Sequence, residues 1–506
     1  MPAADSPSAS FTVHDLTPAL LVGSVVLLVS VAAVRLSVRS GLPSLLIYLA
    51  IGLAIGESGL GIRFDSAQLT QVLGYSALIL ILSEGGLSTR WSAIRRSVAP
   101  AAVLSTVGVL VSVGVVALAA RFVLRLDWNT ALLVAAILSS TDAAAVFSVL
   151  RRVPLPHRIT GMLEAESGFN DAPVVILVTA LASRSGNPSA AQSWWMLAGT
   201  ALLELAAGAV IGLAVGWLGG QFMRRAAGGS SGLFSIGVVA LTVLAYAAAA
   251  SVHASGFIAC YLAALVLGNL RLPHGPAVKG LSTALGWLAQ IGLFVLLGLL
   301  ASPSRMAGQI LPAIVIGLVL LLVARPLSVL VSVGPFGLGW RDQVFLSWAG
   351  LRGAVPVVLA TVPLTIGAHR VDWIFELVFV LVVIFTLIQG PTLPWLARRL
   401  RIAEEYQSLD LDVEATPLEE MGAEMLQVTV GEESRLHGVE MFELRLPEGA
   451  NVTLVVRGGR GFVPVANTAI RSGDQLLIIA TAESRSRAEK RVRAVSRLGR
   501  LAGWKA

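Results

Sequence analysis

The chain has 506 residues, 56% of them hydrophobic and 13% charged, with a mean hydropathy of +0.80. Soluble domains carry about 25% charged residues, so a wholly soluble protein is excluded and most of the chain belongs in lipid. The single cysteine, Cys260, excludes an intramolecular disulfide and a cysteine-built metal site. The net charge of +7 would suit nucleic acid, but its distribution follows membrane topology instead, and no nucleic-acid partner is expected.

The first fifteen residues are polar, with Asp5 and Asp15 and no Lys or Arg, so the first apolar run reads as a retained span and not as a cleaved leader. Runs long enough to cross about 30 Å of hydrocarbon lie at 18–36, 42–57, 68–88, 98–120, 130–150, 159–182, 194–222, 233–251, 255–270, 282–301, 309–333, 343–362 and 372–397. Thirteen spans put the termini on opposite sides. Loops on one side hold Arg35, Arg39, Arg90, Arg95, Arg96, Arg151, Arg152, Arg158, Arg224, Arg225, Arg271, Lys279, Arg341, Arg398, Arg399 and Arg401, against Arg63, Arg121, Arg125, Arg184, Arg305 and Arg370 on the other. The positive-inside rule then places the N-terminus outside and the C-terminus in the cytoplasm.

A faint repeat runs through the spans. Tyr48-Leu49-Ala50 in the second returns as Tyr261-Leu262-Ala263 in the ninth, an offset of 213. Asp142 interrupts the fifth span as Gly350-Leu351-Arg352-Gly353-Ala354-Val355-Pro356 interrupts the twelfth, Arg352 following Asp142 by 210. Seven spans separate the copies, so the halves would be inverted. Paired broken helices in inverted repeats point to a transport site near the bilayer midplane.

After Arg401 the composition changes. The stretch from Glu404 to Pro417 is acidic and polar and reads as a linker. Strand-like runs follow at Leu426–Val430, Val452–Val456 and Gln475–Ala480, the last after the turn Ser472-Gly473-Asp474. The tail from Ser484 to Arg500 is basic, with Ala488, Val492, Val495 and Leu498 at helical spacing, and reads as a terminal helix covering a small soluble α/β domain ahead of the alternative, a helix binding the membrane surface. The expected divisions are a transmembrane domain at 1–402, a linker at 403–414 and a cytoplasmic domain at 415–498.

The chemistry concentrates in Ser139-Ser140-Thr141-Asp142 and Glu166-Ser167-Gly168-Phe169-Asn170-Asp171, because carboxylates stand there in otherwise apolar runs. An ionised Asp at the bilayer centre costs about 2.5–3.5 kcal/mol on the insertion scale, so it needs a partner or a task. At 100° per residue Ser167 and Asp171 share one helix face and Glu166 and Asn170 another. Glu166 and Asp171 diverge by about 140° and do not share an ion. Asp171 and Ser167 can instead face Asp142, while Glu166 finds its counter-charge in Arg352 of the broken twelfth span. The hydroxyls of Ser139, Ser140 and Thr141 can satisfy an opened helix whose carbonyls, with the two aspartates, would ligate an alkali cation. Cation and proton would then compete for the same carboxylates. Arg325, near the end of the eleventh span, reads as structural or as snorkelling to the cytoplasmic surface, and Glu84 and Glu57 as interfacial. A channel would need a filter loop, which the sequence lacks. An intramembrane hydrolase would need two carboxylates sharing a proton, and Asn170 beside Asp171 supplies none.

Thr141-Asp142, Glu166 to Asp171, Gly350 to Gly353 and the second-span stretch Pro43 to Gly61 resemble, in order across residues 15–400, the signature regions of monovalent cation:proton antiporters of the NhaP type. The resemblance implies an all-α polytopic fold with thirteen spans and inverted repeats, a homodimer in the lipid of a bacterial inner membrane, and elevator-like movement of a core subdomain. It implies that Asp142 and Asp171 bind the ion, potassium or sodium, with Ser167, the Thr141 backbone and Asn170 completing the ion and proton site and Glu166 paired with Arg352. The Asn170-Asp171 form implies electroneutral one-for-one exchange, with no enzymatic cofactor. Leu446-Pro447-Glu448-Gly449 and Ile470 to Leu476 resemble the C-terminal subdomain of RCK (TrkA-C type) potassium regulators. That likeness implies pairing across a dimer and a regulatory ligand, a nucleotide for which Arg457, Arg460 and Arg471 are candidate phosphate forks. Their nucleotide-binding half, with its G-x-G-x-x-G, is missing, so no NAD is expected. Such tails accompany potassium/proton exchange, which favours potassium.

Overall fold

The computed structural model describes residues 13–40, 43–57, 59–61, 66–150, 153, 155–186, 193–225, 230–270, 272–366, 371–402, 423–432, 434–481, 483–499 and 502. The linker expected at 403–414, and Arg63, Arg151, Arg152, Arg271 and Arg370, lie outside these. The chain forms two compact units, Met1–Glu405 and Tyr406–Ala506.

The first unit is helical: α1 (Val13–Ser40), α2 (Ser44–Ile55), α3 (Ala67–Ser88), α4 (Val98–Phe122), α5 (Trp128–Ile137), α6 (Ala143–Leu150), α7 (His157–Gly186), α8 (Trp194–Arg225), α9 (Ser231–Ser251), α10 (Gly256–Asn269), α11 (Gly275–Leu300), α12 (Pro303–Phe336), α13 (Trp340–Trp348), α14 (Ala354–Leu359) and α15 (Asp372–Arg399). Every apolar run read from the sequence falls on one helix or, at the fifth and twelfth, on a pair. Among the described residues seven helices are long and apolar enough to cross a membrane: α3, α4, α8, α9, α11, α12 and most of α15. Runs of Leu, Val and Ala become helices here because lipid offers backbone groups no other partner. Polar residues set two of the starts, Ser66 accepting from Leu69 N–H at α3 and Asp127 from Thr130 N–H at α5.

Two departures from α geometry position the site. Helix α4 carries a π turn at Leu104–Gly108 and α12 another at Leu320–Ala324. The second precedes Arg325-Pro326, and a proline, lacking an N–H, cannot bond the carbonyl four residues back. A wider turn there rotates everything after it relative to a regular helix.

Packing follows residue size. Gly208, Gly212, Gly216 and Gly220 recur every fourth residue on the buried face of α8. A Cβ on Gly212 would lie 2.4 Å from the Ala259 carbonyl oxygen of α10, so the small stripe lets the two backbones approach closely. The opposite face exposes Trp195, Leu202, Leu203 and Val210, as a lipid-facing helix should.

The second unit is a four-stranded antiparallel sheet in the order β1-β4-β2-β3, with β1 at Ala423–Thr429, β2 at Ala450–Arg457, β3 at Arg460–Phe462 and β4 at Gln475–Thr481. Gly458 and Gly459 both have positive φ, +55° and +78°, the mirror-image turn that suits the twist of a hairpin. Helix α16 (Arg485–Leu498) buries Ala488, Val492 and Val495 in this unit and leaves Leu498 exposed.

Candidate functional site

The fifth and twelfth runs break where they meet. Helix α5 gives way at Ser139 to Asp142, α13 gives way at Gly350 to Gly353, and Asp142 N–H donates to Leu351 O across the crossing at 2.9 Å. Breaking a helix orphans its last carbonyls. Arg352 Nη1 serves two of them, Ser139 O at 2.8 Å and Ser140 O at 2.5 Å, and puts a cation at the negative end of α5. Asp142 Oδ1 accepts from Ala145 N–H at 3.2 Å and so holds the first turn of α6. Its Oδ2 lies against Gly353, where a Cβ would come within 1.7 Å of it. Only glycine lets the two stretches cross at that distance.

Helix α7 presents its two acidic faces to different neighbours, as the helical phase requires. Asp171 is buried, and its Oδ1 accepts from the Ser140 hydroxyl at 2.6 Å. Asn170, on the other face, donates through Nδ2 to Thr141 Oγ1 at 2.5 Å, and Thr141 Oγ1 donates to Glu166 Oε1 at 3.2 Å. A cavity of about 360 Å³ opens beside the crossing, with Asp142, Asp171, Thr141 and Ser167 in its wall. Asn170, expected among the ion ligands, is not in that wall. It braces Thr141 instead.

The expected pairing of Glu166 with Arg352 is overturned. Arg325 takes both Glu166 oxygens, Nη1 to Oε1 at 2.6 Å and Nη2 to Oε2 at 2.8 Å, with neither residue more than 4% exposed. Nη2 also reaches Leu346 O near the end of α13, at 3.4 Å. Of the two readings of Arg325, structural or snorkelling, the structure gives the first, with a π turn immediately before the Arg325-Pro326 pair. The other π turn serves the same carboxylate's backbone, since Ser105 Oγ donates to Glu166 O at 3.1 Å.

The model for the sodium/hydrogen exchanger transmembrane family matches residues 24–399, and that for the TrkA-C domain matches residues 425–493. The chain belongs to the sodium/hydrogen exchanger family. It is 36% identical over 469 residues to a K(+)/H(+) antiporter NhaP of Alkalimonas amylolytica, covering 91% of this chain and 80% of that one. It is 34% identical to a K(+)/H(+) antiporter NhaP2 of Shewanella oneidensis, covering 92% and 81%. The sodium proton antiporter MjNhaP1 of Methanocaldococcus jannaschii superposes with a TM-score of 0.67 at 20% identity, covering 77% of this chain and all of that one. The chain is thus a transporter, a monovalent cation/proton antiporter of the NhaP family, and not an enzyme.

Two further carboxylates of the antiporter line the cavity wall, Glu84, which reads from the sequence as interfacial, and Glu164, which sequence reasoning missed. Glu164 stands seven residues before Asp171, two turns back on the same face, and that spacing was the available signal. In the C-terminal unit Arg457 is committed elsewhere than to a phosphate. Its Nε and Nη2 donate to Asp474 Oδ1 and Oδ2, both at 2.8 Å, and Nη2 also donates to Ala469 O at 2.9 Å. The guanidinium also lies 5.4 Å from the centre of the Phe462 ring. Bonding to Arg457 holds the Asp474 carboxyl below the usual carboxylate range. Arg460 and Arg471 are exposed.

Proposed function

We propose that the chain exchanges potassium for protons, one for one, across a bacterial inner membrane, with Asp142 and Asp171 binding cation and proton in turn. One observation carries this reading. Asp171 is a buried carboxylate in a cavity wall that accepts a hydroxyl hydrogen bond and, among the described residues, pairs with no arginine or lysine. A charge in that position is satisfied by a bound cation or removed by a proton, and either way the loaded site is cheaper to move than the empty one. Ser167 and the main chain of Thr141 are the further ligands of the proposed site, and Asn170 keeps Thr141 in place.

Thirteen spans in inverted halves, an outside N-terminus, a homodimer and an elevator-like movement complete the proposal. The two π turns support the repeat, since Leu104 and Leu320 are 216 residues apart, close to the offsets of 213 and 210. On this topology the cavity, whose wall runs from Asp171 to Ser88, Thr89 and Thr283, opens to the cytoplasm. The C-terminal domain regulates from that side, with Arg460 and Arg471 as the arginines left to meet an anionic nucleotide. Potassium is preferred because the relatives quoted above carry K(+)/H(+) in their names. Sodium is the second reading, favoured by a relative 28% identical over 340 residues, the Na(+)/H(+) antiporter NhaS2 of Synechocystis, which covers 65% of this chain and 61% of that one.

The test is dye-reported exchange in proteoliposomes with K⁺, Na⁺, Rb⁺ and Li⁺, for the parent and for Asp171→Asn and Asp142→Asn. Both variants should fold and lose exchange. Near-normal exchange by Asp171→Asn would end the proposal, and a sodium-only response in the parent would replace potassium with sodium.

A further inference from the structure

The cavity is longer than the Asp142–Asp171 pair needs, and its outer half contains a carboxylate that the exchange step does not use. We propose that Glu164 forms a second station for the monovalent cation, which receives the ion before it reaches Asp171. This rests on the antiport reading above.

Glu164 and Asp171 are seven residues apart on α7, about 10 Å along the axis and nearly in phase. They therefore face the same cavity at different depths and cannot ligate one ion together. Glu164 lies in the cavity wall and, among the described residues, accepts no hydrogen bond and pairs with no cation. Glu84, across the cavity, lies within electrostatic reach of Lys279 and is thereby partly compensated.

A second, independent observation points to a ligand at this depth. Tyr261 of α10 is 2% exposed and lies in the same wall, and its hydroxyl is buried without a hydrogen-bond partner. Thr89 and Glu164 are the polar groups within its electrostatic reach. Leaving a buried hydroxyl unsatisfied costs about 1–3 kcal/mol. A cation beside Glu164 takes the phenol oxygen as a ligand, and the Thr89 hydroxyl stands in the same wall to supply another. The ring is fixed for the purpose, because it packs on Gly168 of α7 with no room for a Cβ and meets Phe169 edge-on at 5.6 Å. One carboxylate and two neutral oxygens make a weak site for an ion that keeps part of its hydration. Weak binding suits a station that must pass the ion on.

The experiment is exchange measured against cation concentration for Glu164→Gln, Glu164→Asp and Tyr261→Phe, beside Asp171→Asn as the inactive control. Glu164→Gln should raise the apparent KM for the cation about ten-fold, because a focused carboxylate enriches its counter-ion by that order. The maximal rate should stay within about two-fold, and Glu164→Asp should recover most of the affinity. Tyr261→Phe should raise KM by about two- to three-fold, the scale of one polar contact, which a purely long-range field effect would not do. Equilibrium binding of radioactive Rb⁺ to purified Asp142→Asn/Asp171→Asn protein supplies a readout that does not need transport. A low-affinity component should persist there and vanish when Glu164→Gln is added. An unchanged KM in Glu164→Gln, or residual Rb⁺ binding that survives it, would overturn the second station while leaving antiport intact. Exchange by Asp171→Asn would instead remove the proposed role of Asp171 as the exchange site.

Discussion

The exchange of partners between the two buried arginines can be measured. Replacing Arg325 by methionine removes two charge-assisted hydrogen bonds of 2.6 and 2.8 Å and strands Glu166, which is 2% exposed and whose carboxylate keeps, among the described residues, the 3.2 Å hydrogen bond from Thr141. Breaking one side of such a pair costs about 3–5 kcal/mol, most of it the penalty of an uncompensated buried charge. Glu166→Gln strands Arg325 and should cost a similar amount. In Arg325→Met/Glu166→Gln neither charge remains, so the double variant should recover about 2–3 kcal/mol relative to the sum of the single losses. Arg352→Met should show a much smaller recovery with Glu166→Gln, because Arg352 bonds the carbonyls of Ser139 and Ser140 and reaches Glu166 only through space. The chain carries its own reporter, since Cys260 is its single cysteine and is fully buried. A maleimide dye that fluoresces on thiol addition therefore follows unfolding in detergent during a temperature ramp. Additive losses for the Glu166–Arg325 pair, or coupling of Glu166 to Arg352 instead, would refute the assignment.

At the crossing, Gly353→Ala should reduce exchange about a hundred-fold, because its Cβ would sit 1.7 Å from Asp142 Oδ2 and displace that carboxylate by an ångström or more; proteoliposome flux with a normal gel-filtration profile checks it. In the C-terminal unit the Asp474 carboxyl is depressed by Arg457, so the pair's contribution is complete above the ordinary carboxylate range, near pH 4. That contribution is lost as pH falls through the lower folded value. Urea melts of residues 415–498 should accordingly show Arg457→Leu weaker than the parent at pH 7, with the gap closing below about pH 4. Finally, Asn170→Asp should convert silent exchange into charge-moving exchange, read as a current on a solid-supported membrane, and a current indistinguishable from the parent's would count against it.

Much of the membrane architecture was legible in the sequence because lipid leaves the backbone few options. An apolar run of the right length is a helix, and Asp142 or Gly350-Leu351-Arg352-Gly353 inside such a run announces a break. The division of Ser167 and Asp171 from Glu166 and Asn170 followed from helical phase alone. The partner of Arg325 was less legible. Its place near a span end left both a structural and a snorkelling reading open, and the π turn at Leu320–Ala324 that precedes it cannot be read from an apolar pattern. The Arg325-Pro326 dipeptide was the visible warning. Glu84 and Glu164 were misjudged or missed for a different reason. Whether a carboxylate near a span end meets water, lipid or a cavity depends on which helices flank it, and one chain's pattern does not fix that. Arg457 belongs to the same class, because its partner Asp474 comes from a turn seventeen residues away that folds back beside β2.

The corrected pairing bears on stoichiometry. Arg325 and Glu166 cancel, which leaves Arg352, Asp142 and Asp171 as the ionisable groups at the crossing itself. Arg352 is spent on the carbonyls of α5, yet its charge still lies in the same low-dielectric region, where it offsets one carboxylate in the field that a moving core would carry. With both aspartates ionised the crossing holds one uncompensated negative charge. A single monovalent cation cancels it, and so does a single proton, whereas both together overshoot. On the proposed one-for-one exchange, the unloaded crossing would be the charged one and would pay the greatest desolvation cost in a moving core, while either loaded form would be neutral. The neutral Asn170 belongs to the same balance, because a carboxylate there would add a charge that one potassium ion or one proton could not remove.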